Sequence, residues 1–222
     1  MKKENFFKGE DYKGEEFKAL IPKYYPLKYQ KYIQEETELL KSKLKGADKI
    51  LEAGVGIGRL IPELAPIVKE FVGIDNANLM LKKSEEIARN FKNVKIIKGN
   101  LEELNKVLSG DYFEYSLCVW NTLGNVEDEV EVLKNLSEIT AKSIFITVYL
   151  KGTLADRKDW YKTLGIGISK IDEEKEIFYS KSGLKSKSYN LADMTKIANN
   201  AGLKIKDSKI LSGVILWAEL VR

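Results

Sequence analysis

The 222-residue chain contains no histidine, which removes imidazole acid–base catalysis, Ser-His-Asp machinery and the common histidine metal sites. It has one cysteine, Cys118, set in the apolar run YSLCVW, so no internal disulfide can form and the thiol reads as a small buried residue. Proline is scarce, at 4 residues, as suits an ordered chain. No uninterrupted apolar stretch approaches the ~20 residues of a membrane-spanning helix, and the opening MKKENFFKGEDYKGEEF lacks the apolar centre of a secretory signal. No membrane insertion and a cytoplasmic location are therefore expected. There is also no basic tract: 37 Lys and Arg against 33 Asp and Glu leave a formal charge of +4 spread along the chain, far from the dense patch of a nucleic-acid backbone binder. Carboxylate-bound magnesium is the metal chemistry still open, but acids are too abundant for any spacing to single out a site, and no metal is expected.

What the chain does contain is enough apolar residue, 44%, for one substantial core, and too little length for two full domains. Its most informative stretch is Ile50 to Arg59, reading ILEAGVGIGR. An apolar strand ends in Glu52 and runs into Gly54, Gly56 and Gly58, a spacing that permits a tight turn and lets a ligand approach backbone with no Cβ between them. A second short strand, KEFVGID, ends in Asp75, where a carboxylate can accept both hydroxyls of a ribose. Together these features suit a nucleoside cofactor.

The periodicity supplies the order of elements. Pro26 to Leu44 reads as an amphipathic leading helix, Lys49 to Ala53 as the first strand and Ile57 to Ala65 as a helix interrupted by Pro62. Strands follow at Val68 to Asp75, Val94 to Lys98, Tyr115 to Trp120 and Ser143 to Tyr149, separated by helices at Asn78 to Asn90 and Val126 to Thr140. Regular alternation fails between about Gly165 and Ser188, where strand-like halves flank an acidic turn, as an inserted hairpin would. A helix over Leu191 to Ala201 and a close strand pair, Leu203 to Ser208 and Gly213 to Val221, complete the chain. This succession predicts a three-layer α/β domain over residues 46–222, with 1–45 as an N-terminal cap and leading helix and 165–188 as a hairpin or lid insertion.

The stretches ILEAGVGIGRL, FVGIDNANLM, KIIKGNLEEL, YSLCVWNTLGN and GLKIKDSKILSGVILWAEL resemble the class I, seven-stranded, Rossmann-like S-adenosylmethionine-dependent methyltransferases across residues 48–221. The resemblance implies a mostly parallel seven-stranded sheet with an antiparallel terminal strand. It implies S-adenosylmethionine as cofactor and S-adenosylhomocysteine as product. By position it puts Glu52 near the methionine amino end, shapes the crevice with Gly54, Gly56 and Gly58, and assigns the ribose to Asp75 with Asn76 beside it. Asn100 and Leu101 would meet adenine, with Asn100 replacing the family's frequent aspartate; an amide can still bond the ring amine and a ring nitrogen. A dehydrogenase would share the glycine turn and ribose acid, but the missing histidine and the short single domain speak against it.

The acceptor side is less specified. Asn121, Thr122 and Asn125 surround the turn WNTLGN after the fourth strand, so Asn121 is a candidate for orienting the acceptor and for touching the cofactor. The NPPY or DPPY sequence of amide and adenine amino methylation is absent, and Cys118 is poorly placed for cytosine carbon methylation. Among Tyr24, Tyr25, Tyr29 and Tyr32, Tyr25 is the candidate for closing the cofactor pocket. In the insertion, Tyr179 is a second candidate for substrate orientation, and Lys181, Lys185 and Lys187 offer charge to a carboxylate, a phosphate or RNA. The expected reaction is methylation of nitrogen or oxygen on a small molecule. RNA or protein methylation, or a non-catalytic cofactor-binding regulator, are the alternatives.

Overall fold

A computed structural model describes residues 18–222; the segment MKKENFFKGEDYKGEEF, the first part of the expected cap, lies outside the described residues. The first α-helix among the described residues is α1 (Leu27–Leu44), whose buried positions Tyr29, Tyr32, Glu36, Leu40 and Leu44 fall on one stripe at helical spacing. Pro26 sets the start, and just beyond the end Gly46 turns with φ 79° and donates its N–H to Ile67 O at 2.8 Å. Burying leucines such as Leu40 and Leu44 completely contributes roughly 1.5–3 kcal/mol each. The odd member is Glu36, a carboxylate with no exposure inside an apolar stripe.

Five parallel strands form the sheet's main body in the order β3-β2-β1-β4-β5: β1 (Lys49–Ala53), β2 (Glu70–Asp75), β3 (Val94–Lys98), β4 (Phe113–Cys118) and β5 (Thr140–Leu150). The terminal strand β10 (Ile215–Val221) lies antiparallel between β5 and β9 (Lys204–Leu211), the expected Rossmann-like arrangement. Alternate residues feed two cores, one on each face. Ile50 and Phe145 join α1, α2 (Ile61–Leu64) and α6 (Leu154–Leu164), while Leu51, Ile144 and Ile146 pack with α5 (Glu129–Ile139) and α7 (Leu191–Asn200). Sequence-local caps start those last helices: Asp128 accepts from Glu131 N at 3.0 Å, and Asn190 and Asp193 form a reciprocal capping box.

Two helices depart from the sequence reading. The helix expected over Ile57 to Ala65 is reduced to α2 and a following 3-10 turn, because Gly54, Gly56 and Gly58 all adopt positive φ and the chain cannot become helical until it has passed them. The unassigned stretch after β5 is α6, whose weak amphipathic pattern hides four inward-facing residues, Arg157, Trp160, Tyr161 and Leu164.

The insertion is three strands, not a simple hairpin. β6 (Ile168–Asp172), β7 (Ile177–Ser180) and β8 (Lys185–Tyr189) run antiparallel, and β8 then pairs parallel with the end of β5 through Tyr149↔Ser188 and Leu150↔Tyr189. Arg157 pins this extension from α6. It is fully buried between the rings of Tyr149 and Phe178, at 4.8 and 4.7 Å, and donates to Glu176 O at 2.8 Å and to Ser186 O and Oγ at 3.3 and 3.2 Å. Among the described residues no helix is long and apolar enough to cross a membrane.

Candidate active site

At the carboxyl ends of β1 to β4 the turns enclose a cavity of ≈ 920 Å³, at the edge where open α/β sheets take their ligands. The glycine turn forms one wall. Gly54 N and Val55 N both donate to Ile74 O, at 2.8 and 2.9 Å, so the end of β2 holds the turn. Gly54, with φ 81°, lies so close to Thr122 that a Cβ would come within 2.5 Å of it, whereas a Cβ on Gly56 would meet nothing within 4 Å and would project into open space. Gly56 lines the cavity and Gly58 does not; Gly58 is instead where α3 (Asn78–Ala88) approaches through Ser84.

Asp75 faces the turn from β2. Its Oδ2 accepts from Gly56 N and its Oδ1 from Ala77 N, both at 2.9 Å, and the backbone of Asn76 adds a further hydrogen bond, so the carboxylate is oriented before any ligand arrives. Asn76, Asn100 and Leu101 also line the cavity, on the β2 and β3 side. Asn100 caps the turn after β3 through Glu102 N at 3.4 Å, a long bond that a better partner can replace.

Glu52 lies at the β1 end, 3% exposed, with Oε2 buried and unpartnered among the described residues. Burial pushes its carboxyl up to about 8, against the pull of Arg59 and with repulsion from Glu36 and Asp75 adding to the rise. In the folded chain Glu52 therefore keeps its proton from the ordinary value of 4.5 up to about 8, while the unfolded chain has lost it. The native state binds more protons over that window, so stability falls as pH rises through it, by at most ~1.4 kcal/mol per pH unit. Glu52→Gln is expected to flatten this decline. Urea unfolding between about pH 5 and about pH 8 checks it, and parallel decline in variant and wild type would clear Glu52 of the effect.

Arg59, next after the turn, was not among the residues picked out in the sequence. Its Nη2 donates to Glu36 Oε2, and the same carboxylate accepts on Oε1 from Tyr32 and, at 2.7 Å, from Thr147 Oγ1 of β5. Thr147 Oγ1 in turn accepts from Trp120 N at 2.8 Å. One buried carboxylate on α1 thus ties together the glycine turn, the end of β5 and the turn after β4. The ring of Trp120 stacks on Tyr32 with centroids 5.3 Å apart and leans on Tyr25 at 4.8 Å. Tyr25 and Trp120 both line the cavity, and Tyr25 donates to Leu20 O at 2.9 Å, so α1 and the segment before it cover the β1 end. The signal for this hub was a glutamate on an apolar helix stripe, legible only as an anomaly.

The two acceptor-orienting candidates sit elsewhere. Asn121 is 2% exposed and does not line the cavity. With φ 60° it donates its backbone N–H to Thr147 O at 2.9 Å, and its side-chain Oδ1 accepts from Tyr149 N at 3.0 Å. The amide continues the ladder where β4 stops and β8 takes over as the neighbour of β5. Asn121→Ala is thus expected to destabilise the protein by about 1–3 kcal/mol by orphaning the Tyr149 N–H, with donor affinity unchanged. Chemical denaturation beside calorimetry separates the two; normal stability with lost affinity would return Asn121 to the site.

Tyr179, on β7, pairs with Lys170 and Lys185 in the extension and also lies off the cavity lining. The insertion lysines are engaged locally: Lys185 donates to Val126 O at 2.7 Å, Lys187 to Glu129 at 2.8 Å, and Lys181 packs beside Gly167. Cys118 is buried, with its thiol pushed up to about 12 by desolvation. No cluster of three or more metal-binding side chains occurs among the described residues.

This architecture has relatives. The Arabidopsis thaliana protein phosphoethanolamine N-methyltransferase 3 is 30% identical over 84 residues, which are 38% of this chain and 17% of the plant protein. The chain therefore matches only a small part of that relative. The CcbJ methyltransferase from Streptomyces caelestis superposes with a TM-score of 0.63 at 20% identity, covering 82% of this chain and 86% of that one. Magnesium protoporphyrin IX methyltransferase from Synechocystis PCC 6803, solved with bound S-adenosylhomocysteine, gives a TM-score of 0.62 at 16% identity, with 88% and 84% covered. At such identities these structures share the fold. The family described as methyltransferase domain matches residues 44–200, from the last turn of α1 to the end of α7, and the chain belongs to that family.

Proposed function

We propose that the protein transfers a methyl group from S-adenosylmethionine to nitrogen or oxygen of a small molecule, releasing S-adenosylhomocysteine. The observation that carries this reading is the Asp75 carboxylate, pre-oriented by Gly56 N and Ala77 N in the same cavity as the unpartnered Glu52 Oε2. The residues fit the cofactor: a hydroxyl-accepting carboxylate, an open approach over Gly56, and a buried acceptor for an ammonium group. Asp75 would take the ribose hydroxyls, with Asn76 beside them; Asn100 and Leu101 would flank the adenine, and Glu52 would receive the amino group, giving up its proton as the ammonium docks. Gly54 and Gly58 shape the turn without exposing side chains.

When bound, the donor supplies a methyl made electrophilic by its sulfonium. The chain then has to align an acceptor lone pair with it and exclude water. Tyr25 and Trp120 wall the β1 end for that purpose, and burial holds the Tyr25 hydroxyl protonated, as a donor to Leu20 O and no base. An amine acceptor must arrive unprotonated. Asn121 acts on this wall indirectly, as the residue that fixes the Trp120 turn. Residues 1–45 are read as the cap, 46–222 as the catalytic domain and 165–188 as its insertion. The small-molecule assignment draws support from relatives whose names specify phosphoethanolamine and magnesium protoporphyrin IX as substrates, and from the engagement of Lys185 and Lys187 within the protein. A cytoplasmic setting completes the reading, supported by the unpaired buried thiol of Cys118.

Incubation with methyl-labelled donor and separate metabolite, RNA and protein fractions tests the proposal. Label in the metabolite fraction is expected. Label confined to a macromolecule would overturn the substrate class, and donor binding without any transfer would make the protein a regulator.

A further inference from the structure

The cavity has two walls of different chemistry. On the α1 face of the sheet it is aromatic: the rings of Tyr25 and the half-buried Trp120 lie 4.8 Å apart and pack with the core under α1. On the α5 face it is acidic. Glu102 and Glu103 after β3, and Glu127, Asp128 and Glu131 around the start of α5, line one rim, which Glu127 N closes by donating to Glu102 Oε1 at 3.0 Å. Two cations line the cavity with them, and both are paired: Arg59 with Glu36, and Lys106 with Glu103 at 2.7 Å. Behind the rim, Lys185 and Lys187 are committed to Val126 O and Glu129. Asp128 caps α5, but Glu102, Glu127 and Glu131 have no Lys or Arg partner among the described residues. The floor repeats the preference for positive charge, because Glu52 Oε2 is buried without a donor. The donor's ribose and amino group account for Asp75 and Glu52 and leave the rim carboxylates over.

We infer that the methyl acceptor is a cationic aliphatic amine, drawn in by the carboxylate rim and packed against the Tyr25 and Trp120 rings. The inference rests on the methyltransferase reading and narrows its acceptor atom to nitrogen. A phosphate, carboxylate or phenolate acceptor would meet like charge on the rim, whereas an alkylammonium is attracted by the carboxylates and by the faces of the rings. At the mouth the ammonium gives up one proton to water, and the amine reaches the methyl unprotonated. Its nitrogen lone pair forms the new N–C bond as the S–C bond breaks, and the electron pair of that bond stays on sulfur in the neutral thioether. The positive charge passes from sulfur to nitrogen inside the cavity, where the rim stabilises it as it forms. A hydroxyl acceptor would instead need a base at the methyl, and the chain has no histidine to supply it.

A small-molecule cell extract, split on cation- and anion-exchange columns at neutral pH and incubated with the full chain and a donor carrying an NMR-active methyl carbon, tests the inference. Label is expected in the fraction retained by the cation exchanger, as a methyl resonance that moves when the product is titrated through the ionisation of its amine. The double variant Glu127→Gln with Glu131→Gln spares the Asp128 cap. It is expected to raise KM for the acceptor purified from that fraction by about threefold to about tenfold, with kcat and S-adenosylhomocysteine affinity within about twofold of wild type. It is also expected to lose most of the salt dependence of kcat/KM. Label only in the anion-retained or unretained fraction, a methyl resonance indifferent to pH, or an unchanged KM in the double variant would overturn the inference while the methyltransferase reading stands. Label in no metabolite fraction would remove the small-molecule reading itself.

Discussion

Asp75→Ala is expected to weaken S-adenosylhomocysteine binding by about a hundredfold or more. Two hydroxyl bonds to an ionised carboxylate contribute ~1.5–3 kcal/mol each, and each 1.4 kcal/mol is tenfold in affinity. The substitution also frees Gly56 N and Ala77 N, which the carboxylate holds at 2.9 Å, so the glycine turn keeps only its backbone bonds to Ile74 O as ties to the end of β2. Asp75→Asn separates the contributions, because one amide oxygen can accept from only one side of the turn while its NH₂ faces the other donor. Titration of folded variants checks this. An affinity for Asp75→Ala within about threefold of wild type would remove Asp75 from the ribose contact.

The largest stability loss is expected at a residue outside the glycine motif. Glu36→Ala removes the carboxylate shared by Arg59, Tyr32 and Thr147 and leaves a largely buried guanidinium without its counterion. Breaking one side of a buried pair costs about 3–5 kcal/mol, because the remaining charge is left desolvated and unmatched. Exchanging both partners for apolar residues, as Glu36→Met with Arg59→Met, is expected to recover much of the loss, since no lone charge remains. Urea unfolding of the two single variants and the double variant measures the coupling. A loss below about 1 kcal/mol for Glu36→Ala would mean that the hub does not hold α1 to the sheet.

The strand ends and the glycine turn were legible because their signals are local. Lys49–Ala53 and Val94–Lys98 coincide with the strands read from apolar runs, and Glu52 and Asp75 stand at strand ends where the period alone puts them. Asn121 was ambiguous for a physical reason. A polar residue in a turn after a parallel strand looks the same whether its amide faces a ligand or completes a backbone ladder, and the choice depends on Tyr149, 28 positions away. The insertion lysines have the same ambiguity. Lys187 reads as free charge until Glu129, 58 positions earlier, is folded against it.

The sequence by itself determined the alternation of strands and helices, the turn at Gly54 and Gly56, and the carboxylates that flank it, because each depends on side-chain period or backbone freedom over a few residues. Tertiary structure alone decided which polar groups face the cavity. Glu36 reaches Thr147 across 111 positions, and that contact exists only once α1 lies over the ends of β1 and β5. Burial then excludes water from such groups and forces each to find a partner or leave one atom open, as Glu52 and Arg59 do.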